Sequence, residues 1–146
     1  MAAERRGEAT WSGNLTEGSG AVSLASSGLA NELPVTWASR TEDHGGKTSP
    51  EELIAAAHAA CFSMFLANVL AQGGNPAEKL DVSAISSFEK VEAGFRMTTM
   101  ALEVRGSVPG LNAAAFEQAA EVAKEGCPVS NALKDNVEIT VKAALA

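Results

Sequence analysis

The sequence predicts an α+β protein, with antiparallel sheets packed around long central helices, and three observations carry that reading. Two stretches alternate with period two: Met100, Leu102 and Val104 face away from Thr99, Ala101, Glu103 and Arg105, and Val137, Ile139, Val141 and Ala143 face away from Glu138, Thr140 and Lys142. Such alternation marks half-buried strands. A third stretch, "PEELIAAAHAACFSMFLANVLAQGG" from Pro50 to Gly74, is apolar nearly all round and reads as a helix buried on every side. The turn residues fall between successive strands, which places them in hairpins and separates the fold from a parallel βαβ repeat.

Along the chain, "EATWSGN" and "GSGAVSLAS" read as a first hairpin about Glu17-Gly18, followed by a short extended piece, "ELPVTWAS", in which Pro34 favours an edge or an entry position. "RTEDHGGKTSP" lacks periodicity, carries paired glycines and reads as a loop. Its end starts a helix well: a hydroxyl residue, then Pro50 at the first position, then Glu51 and Glu52 in the first turn. The helix runs to Gln72 and stops at Gly73-Gly74. Two strands then turn near Ala93-Gly94. After Pro109-Gly110, Asn112 caps a second helix whose stripe is Phe116, Ala119, Ala120 and Ala123. Cys127-Pro128 opens a short helical turn through Leu133, and the strand about Val137–Ala143 closes the chain. The predicted order is β-β-β-α-β-β-α-β in one domain, 1–146.

Composition bounds the function. The 146 residues, 46% hydrophobic and 20% charged, suffice for one real core, and a net charge of −7 argues against nucleic acid and against an anionic membrane surface. The run Leu53–Ala71 has the length of a membrane span. It is Ala-rich, carries His58, Ser63 and Asn68, and has no close Lys or Arg anchors, so it reads as a core helix and no membrane partner is expected. So little chain cannot enclose that helix alone, which points to a second copy. "MAAERRGEAT" lacks the apolar stretch of a signal peptide, so a cytoplasmic, reducing location is expected and a permanent disulfide is disfavoured.

Two cysteines remain to be explained. Cys61 shares a helix face with Ala57, His58, Met64 and Phe65, an apolar wall that raises a thiol's pKa. Reactivity there requires a cation, and Arg40 is the candidate, with Glu51 or Glu52 to hold it. Glu51 precedes Cys61 by ten residues, about 15 Å of helix rise, so an intrachain Glu51–Arg40–Cys61 cluster is strained. Two copies packed antiparallel would bring one chain's Glu51 to the other's Cys61. Cys127, at a helix junction, reads as hinged, and a rigid and a hinged thiol are the parts a disulfide-forming pair requires. His58 and Cys61 find no third and fourth ligand at a suggestive spacing, so no metal is expected. On the residues alone, the other reading stays open: inert packing cysteines in a dimeric, non-enzymatic module that takes small apolar ligands.

"TSPEELIAAAHAACFSMFLANVL" and "GCPVSNALKDNVEITV", with "WSGNL", "SRTED" and "VEAGFRMTTMALEVRGSVPGLN", resemble the osmotically inducible protein C (OsmC) family, sister to the organic hydroperoxide resistance (Ohr) proteins, and the resemblance runs end to end. The "AAHAAC" and "CPVS" forms look like the OsmC branch. The resemblance implies an intertwined homodimer and a thiol peroxidase of oxidative and osmotic stress defence. It would reduce organic hydroperoxides, and hydrogen peroxide more weakly, to alcohols and water. It implies Cys61 as the peroxidatic cysteine, Cys127 as the resolving one, Arg40 as the activating arginine and Glu51 as its acidic partner. It also implies an external dithiol reductant of lipoyl type and no metal, haem or flavin cofactor. It assigns His58 no step.

Overall fold

A small sheet occupies the first fifty residues and a larger one, with most of the helix, the remainder. The computed structural model describes residues 1–146, which pack as two compact units, Met1–Pro50 and Glu51–Ala146. In the first, β1 (Glu8–Ser12), β2 (Ser19–Ser23) and β3 (Leu33–Val35) form an antiparallel sheet in that order. The predicted hairpin turn is held by Asn14, whose Oδ1 accepts from the Glu17 N–H at 2.8 Å, while the Gly18 N–H reaches the Asn14 carbonyl at 3.0 Å. Pro34 lies on the edge strand, as expected, where its missing N–H breaks no ladder.

One element of this unit was not expected. Ala38–Thr41, read as the end of an extended piece (Ala38-Ser39) and the start of a loop (Arg40-Thr41), forms a helical turn, α1. Ser39 makes it: its Oγ lies 2.8 Å from the Thr36 carbonyl oxygen and 2.9 Å from that of Thr48, and its N–H donates to Thr36 Oγ1 at 3.1 Å. Such side-chain bonds to backbone leave no hydrophobic period to read. Arg40 therefore stands on a fixed helical turn.

The second unit contains α2 (Pro50–Gln72, from Glu51 onward), β4 (Lys79–Val91), β5 (Gly94–Ser107), α3 (Ala113–Gly126), α4 (Pro128–Leu133) and β6 (Glu138–Leu145). The bounds of α2 match the Pro start and the Gly-Gly stop. Asn112 caps α3 as predicted, its Oδ1 accepting from the Ala115 N–H at 2.9 Å. The sheet order is β4-β5-β6. β4 and β5 form the expected antiparallel hairpin, but β6 runs parallel to β5, so an all-antiparallel reading is corrected to a mixed sheet. Alternation fixes which residues face the core and is blind to direction. The direction comes from α3 and α4, which form the long crossover that a parallel pair needs.

The core lies between this sheet and the helices: Phe62, Leu66 and Leu70 of α2, Leu102 and Val104 of β5, and Phe116, Ala120 and Ala123 of α3. Gly106 of β5 sits directly under Phe116, where a Cβ would meet the ring at 2.5 Å. Gly106→Val is expected to destabilise the unit by about 1–3 kcal/mol through overpacking, read as a lower urea midpoint at unchanged slope. An unchanged midpoint would mean the ring can move aside.

α2 buries only one stripe within a single chain: Glu51, Ala55, His58, Phe62, Leu66 and Leu70. Its other face stays open, with Met64 69% exposed. The enclosure on all sides expected from the sequence is thus not achieved by one copy. α2 has the length and mean hydropathy, 1.9, of a membrane-crossing helix. Its buried stripe is nevertheless the centre of the protein core.

Candidate active site

Cys61 projects from the middle of α2, partly exposed, at the rim of that core. Cys127 lies at the junction of α3 and α4 and is 0% exposed. Both thiols are free, Cys61 packs against the same core cluster that contains Cys127, and the sulfurs are near enough to influence each other's ionisation, with the Val129 backbone of the first turn of α4 on the side that favours the Cys61 thiolate. Burial pushes the Cys61 thiol above its usual range. The Val129 backbone pulls it back in part, and Cys127 adds to the rise.

The junction is less mobile than its sequence implied. The Cys127 N–H donates to the Ala123 carbonyl at 2.9 Å, and the Asn131 N–H donates to the Cys127 carbonyl at 3.0 Å. The Asn131 side-chain amide reaches the Cys127 carbonyl as well, at 3.2 Å. Gly126 has a use beyond stopping α3: a Cβ there would meet the Phe65 ring at 2.5 Å, so only glycine lets Phe65, one turn beyond Cys61, lie against the residue next to Cys127. Cys127 is therefore held by its own junction on the Cys61 side of the core.

His58, one turn before Cys61, is fully buried, with its Nε2 2.7 Å from Ser130 Oγ of α4. Its Nδ1 has no partner. A proton on Nδ1 would be a buried, unsatisfied donor, so the neutral ring carries it on Nε2 and donates to Ser130. Burial holds the imidazole below its ordinary pKa. Above an unfolded-state value of about 6.5 the ring is neutral in both states and its contribution to stability is complete. As pH falls from there through the lower folded value, the unfolded chain takes up a proton that the folded chain refuses. The urea midpoint is therefore expected to fall as pH drops below about 6.5, more steeply in the wild type than in His58→Gln. Equal slopes would contradict a buried neutral ring.

The structure brings Cys61 and Cys127 together. Glu51 is buried in the first turn of α2, at the far end from Cys61. Arg40 belongs to the first unit, where its guanidinium stacks 5.4 Å from the centre of the Trp37 ring. A groove of about 530 Å³ on the sheet, lined by Asp81, Glu103, Arg105 and Lys142 among others, contains none of these four residues. Val129, Ser130 and Gly126 were not found by sequence reasoning. Ser130 and Val129 were visible only as letters of "CPVS", and Gly126 only as a helix stop.

The fold is α+β with two free thiols near one another, one on a long core helix and the other at a helix junction. Comparison assigns the class. The profile of the OsmC-like protein family matches residues 43–142. Peroxiredoxin OsmC of Escherichia coli is 44% identical over 141 residues, covering 97% of this chain and 96% of that one. The organic hydroperoxide resistance protein of Xanthomonas axonopodis pv. citri is 35% identical over 106 residues, covering 68% and 69%. In the solved structures, an organic hydroperoxide resistance protein OsmC from Legionella pneumophila superposes with a TM-score of 0.74 at 28% identity, covering 98% of this chain and 99% of that one. The chain belongs to the OsmC-like family.

Proposed function

We propose that the protein is a thiol-dependent peroxidase that reduces organic hydroperoxides to alcohols, and hydrogen peroxide more weakly, through a sulfenic acid on Cys61 and a Cys61–Cys127 disulfide. The observation that carries the reading is the nearness of the two free thiols in one core cluster, in a chain similar over nearly its whole length to a peroxiredoxin. The Cys61 thiolate attacks the distal oxygen of ROOH. A sulfur–oxygen bond forms, the O–O bond breaks, and the departing alkoxide takes a proton to become ROH. Cys127 then displaces the hydroxyl from sulfur, giving the disulfide and water. An external dithiol of lipoyl type returns both thiols.

Burial outweighs the Val129 backbone at Cys61, so ionisation needs a cation. That role is assigned to Arg40, whose guanidinium would also stabilise charge on the leaving oxygen. The active form is assigned as an intertwined homodimer in which Glu51 of one copy steadies the arginine at the other's Cys61. The open apolar face of α2 and the distance of Glu51 from Cys61 along one helix both support this. Ile54, Met64 and Phe65 give an apolar setting that favours alkyl substrates by about 0.8 kcal/mol per buried methylene. A reducing, cytoplasmic setting goes with this cycle. Consumption of tert-butyl hydroperoxide in the presence of dihydrolipoamide tests the reading. Catalytic consumption is expected, and a rate no greater than that of Cys61→Ser would overturn it.

A further inference from the structure

His58 is the one fully buried imidazole in the protein, and the proposed cycle gives it no chemical step. Its position is specific. It sits one turn before Cys61 on α2, and its single partner, Ser130, lies three residues after Cys127 and one after Val129. Ser130 is 4% exposed. This hydrogen bond thus joins α2, which carries Cys61, to α4, whose N-cap is Cys127. α4 is only six residues long, and the His58–Ser130 bond is the side-chain hydrogen bond that ties it to α2.

We propose that His58 and Ser130 are positioning residues for the resolving step: their hydrogen bond docks the first turn of α4 on α2 and holds Cys127 in line with the Cys61 sulfur. The step served is Cys61–S–OH + HS–Cys127 → Cys61–S–S–Cys127 + H₂O, in which the S–S bond forms, the S–O bond breaks, and the thiol proton leaves with the hydroxyl as water. The attack on peroxide needs only Cys61 and its cation, so the pair acts on the second step and not the first. Without the tie, the sulfenic acid persists and meets further peroxide before Cys127 reaches it.

The inference rests on the peroxidase reading, and the experiment separates the two. In stopped flow with tert-butyl hydroperoxide, oxidation of Cys61 and disulfide formation are followed as successive phases in wild type, Ser130→Ala, His58→Gln and Ser130→Thr. Ser130→Ala is expected to slow the second phase about tenfold, the loss of one buried hydrogen bond, while the first stays within about twofold. His58→Gln should do the same, sulfinic acid should accumulate in both, and Ser130→Thr, which keeps the hydroxyl, should restore the wild-type second phase. A generally loosened fold would slow both phases. An unchanged second phase, or an equal fall in both, overturns the proposal. The same variants are treated with 5,5′-dithiobis(2-nitrobenzoate), where Cys127 resolves a mixed disulfide on Cys61 without peroxide. A slowed second release there, with no peroxide reaction in the wild type, would sustain the positioning pair and discard the peroxidase. Equal release rates in wild type and Ser130→Ala would discard the pair.

Discussion

Cys61→Ser is expected to lower hydroperoxide consumption to that of the dithiol alone, because a serine hydroxyl stays protonated where a thiol can ionise and has no path to a sulfenic acid. Cys127→Ser is the informative companion. It should react once with hydroperoxide at a rate close to wild type and then stall, with its intact mass higher by about 16 Da, and by about 32 Da under excess peroxide. The asymmetry follows from the site. Cys61 is the partly exposed sulfur, whereas Cys127 is closed off from solvent. If Cys61→Ser kept turnover and Cys127→Ser lost its first reaction, the two roles would have to be exchanged.

Arg40→Ala is expected to reduce turnover at pH 7 by about 10²–10³-fold, the usual cost of removing one charged group aimed at a developing oxyanion. The pH dependence separates the two tasks assigned to the guanidinium. A nearby cation lowers a thiol's pKa by about 1–3 units, so its removal should move the rising limb of the rate to higher pH. The deficit should then narrow as the medium ionises Cys61 without help, leaving at high pH only the loss of leaving-group stabilisation. Arg40→Lys should recover part of the rate, since an ammonium supplies charge without the planar fork or the stacking that Trp37 offers. The urea midpoint of the variant checks that the fold survives. A pH profile identical in Arg40→Ala and wild type would remove Arg40 from the site.

Much of the fold was legible because local physics decides it. The alternation in β5 and β6 named the core-facing residues, Asn112 announced the α3 cap, and the glycines after Gln72 closed α2. What could not be read depends on partners distant in the chain. α1 exists because Ser39 bonds the carbonyl of Thr48, nine residues on. β6 is parallel because two helices carry the chain back, and a period of two contains no direction. The site divides the same way. The apolar wall around Cys61 and the spacing of Glu51 follow from helix geometry alone. The burial of Cys127, the Val129 backbone at Cys61, and the His58 bond to a serine 72 residues away required the folded chain. The family motifs marked both cysteines without showing that the folded chain places them in one core cluster.

The central claim is that two adjacent sulfurs run one peroxide-driven redox cycle. Intact mass and peptide mapping of the fully reduced protein, after one equivalent of tert-butyl hydroperoxide and no added reductant, test it most directly. The account predicts a loss of about 2 Da and a single cross-linked peptide pair joining Cys61 to Cys127. An unchanged mass, or a cross-link between Cys61 residues of two chains with Cys127 still reduced, would contradict it.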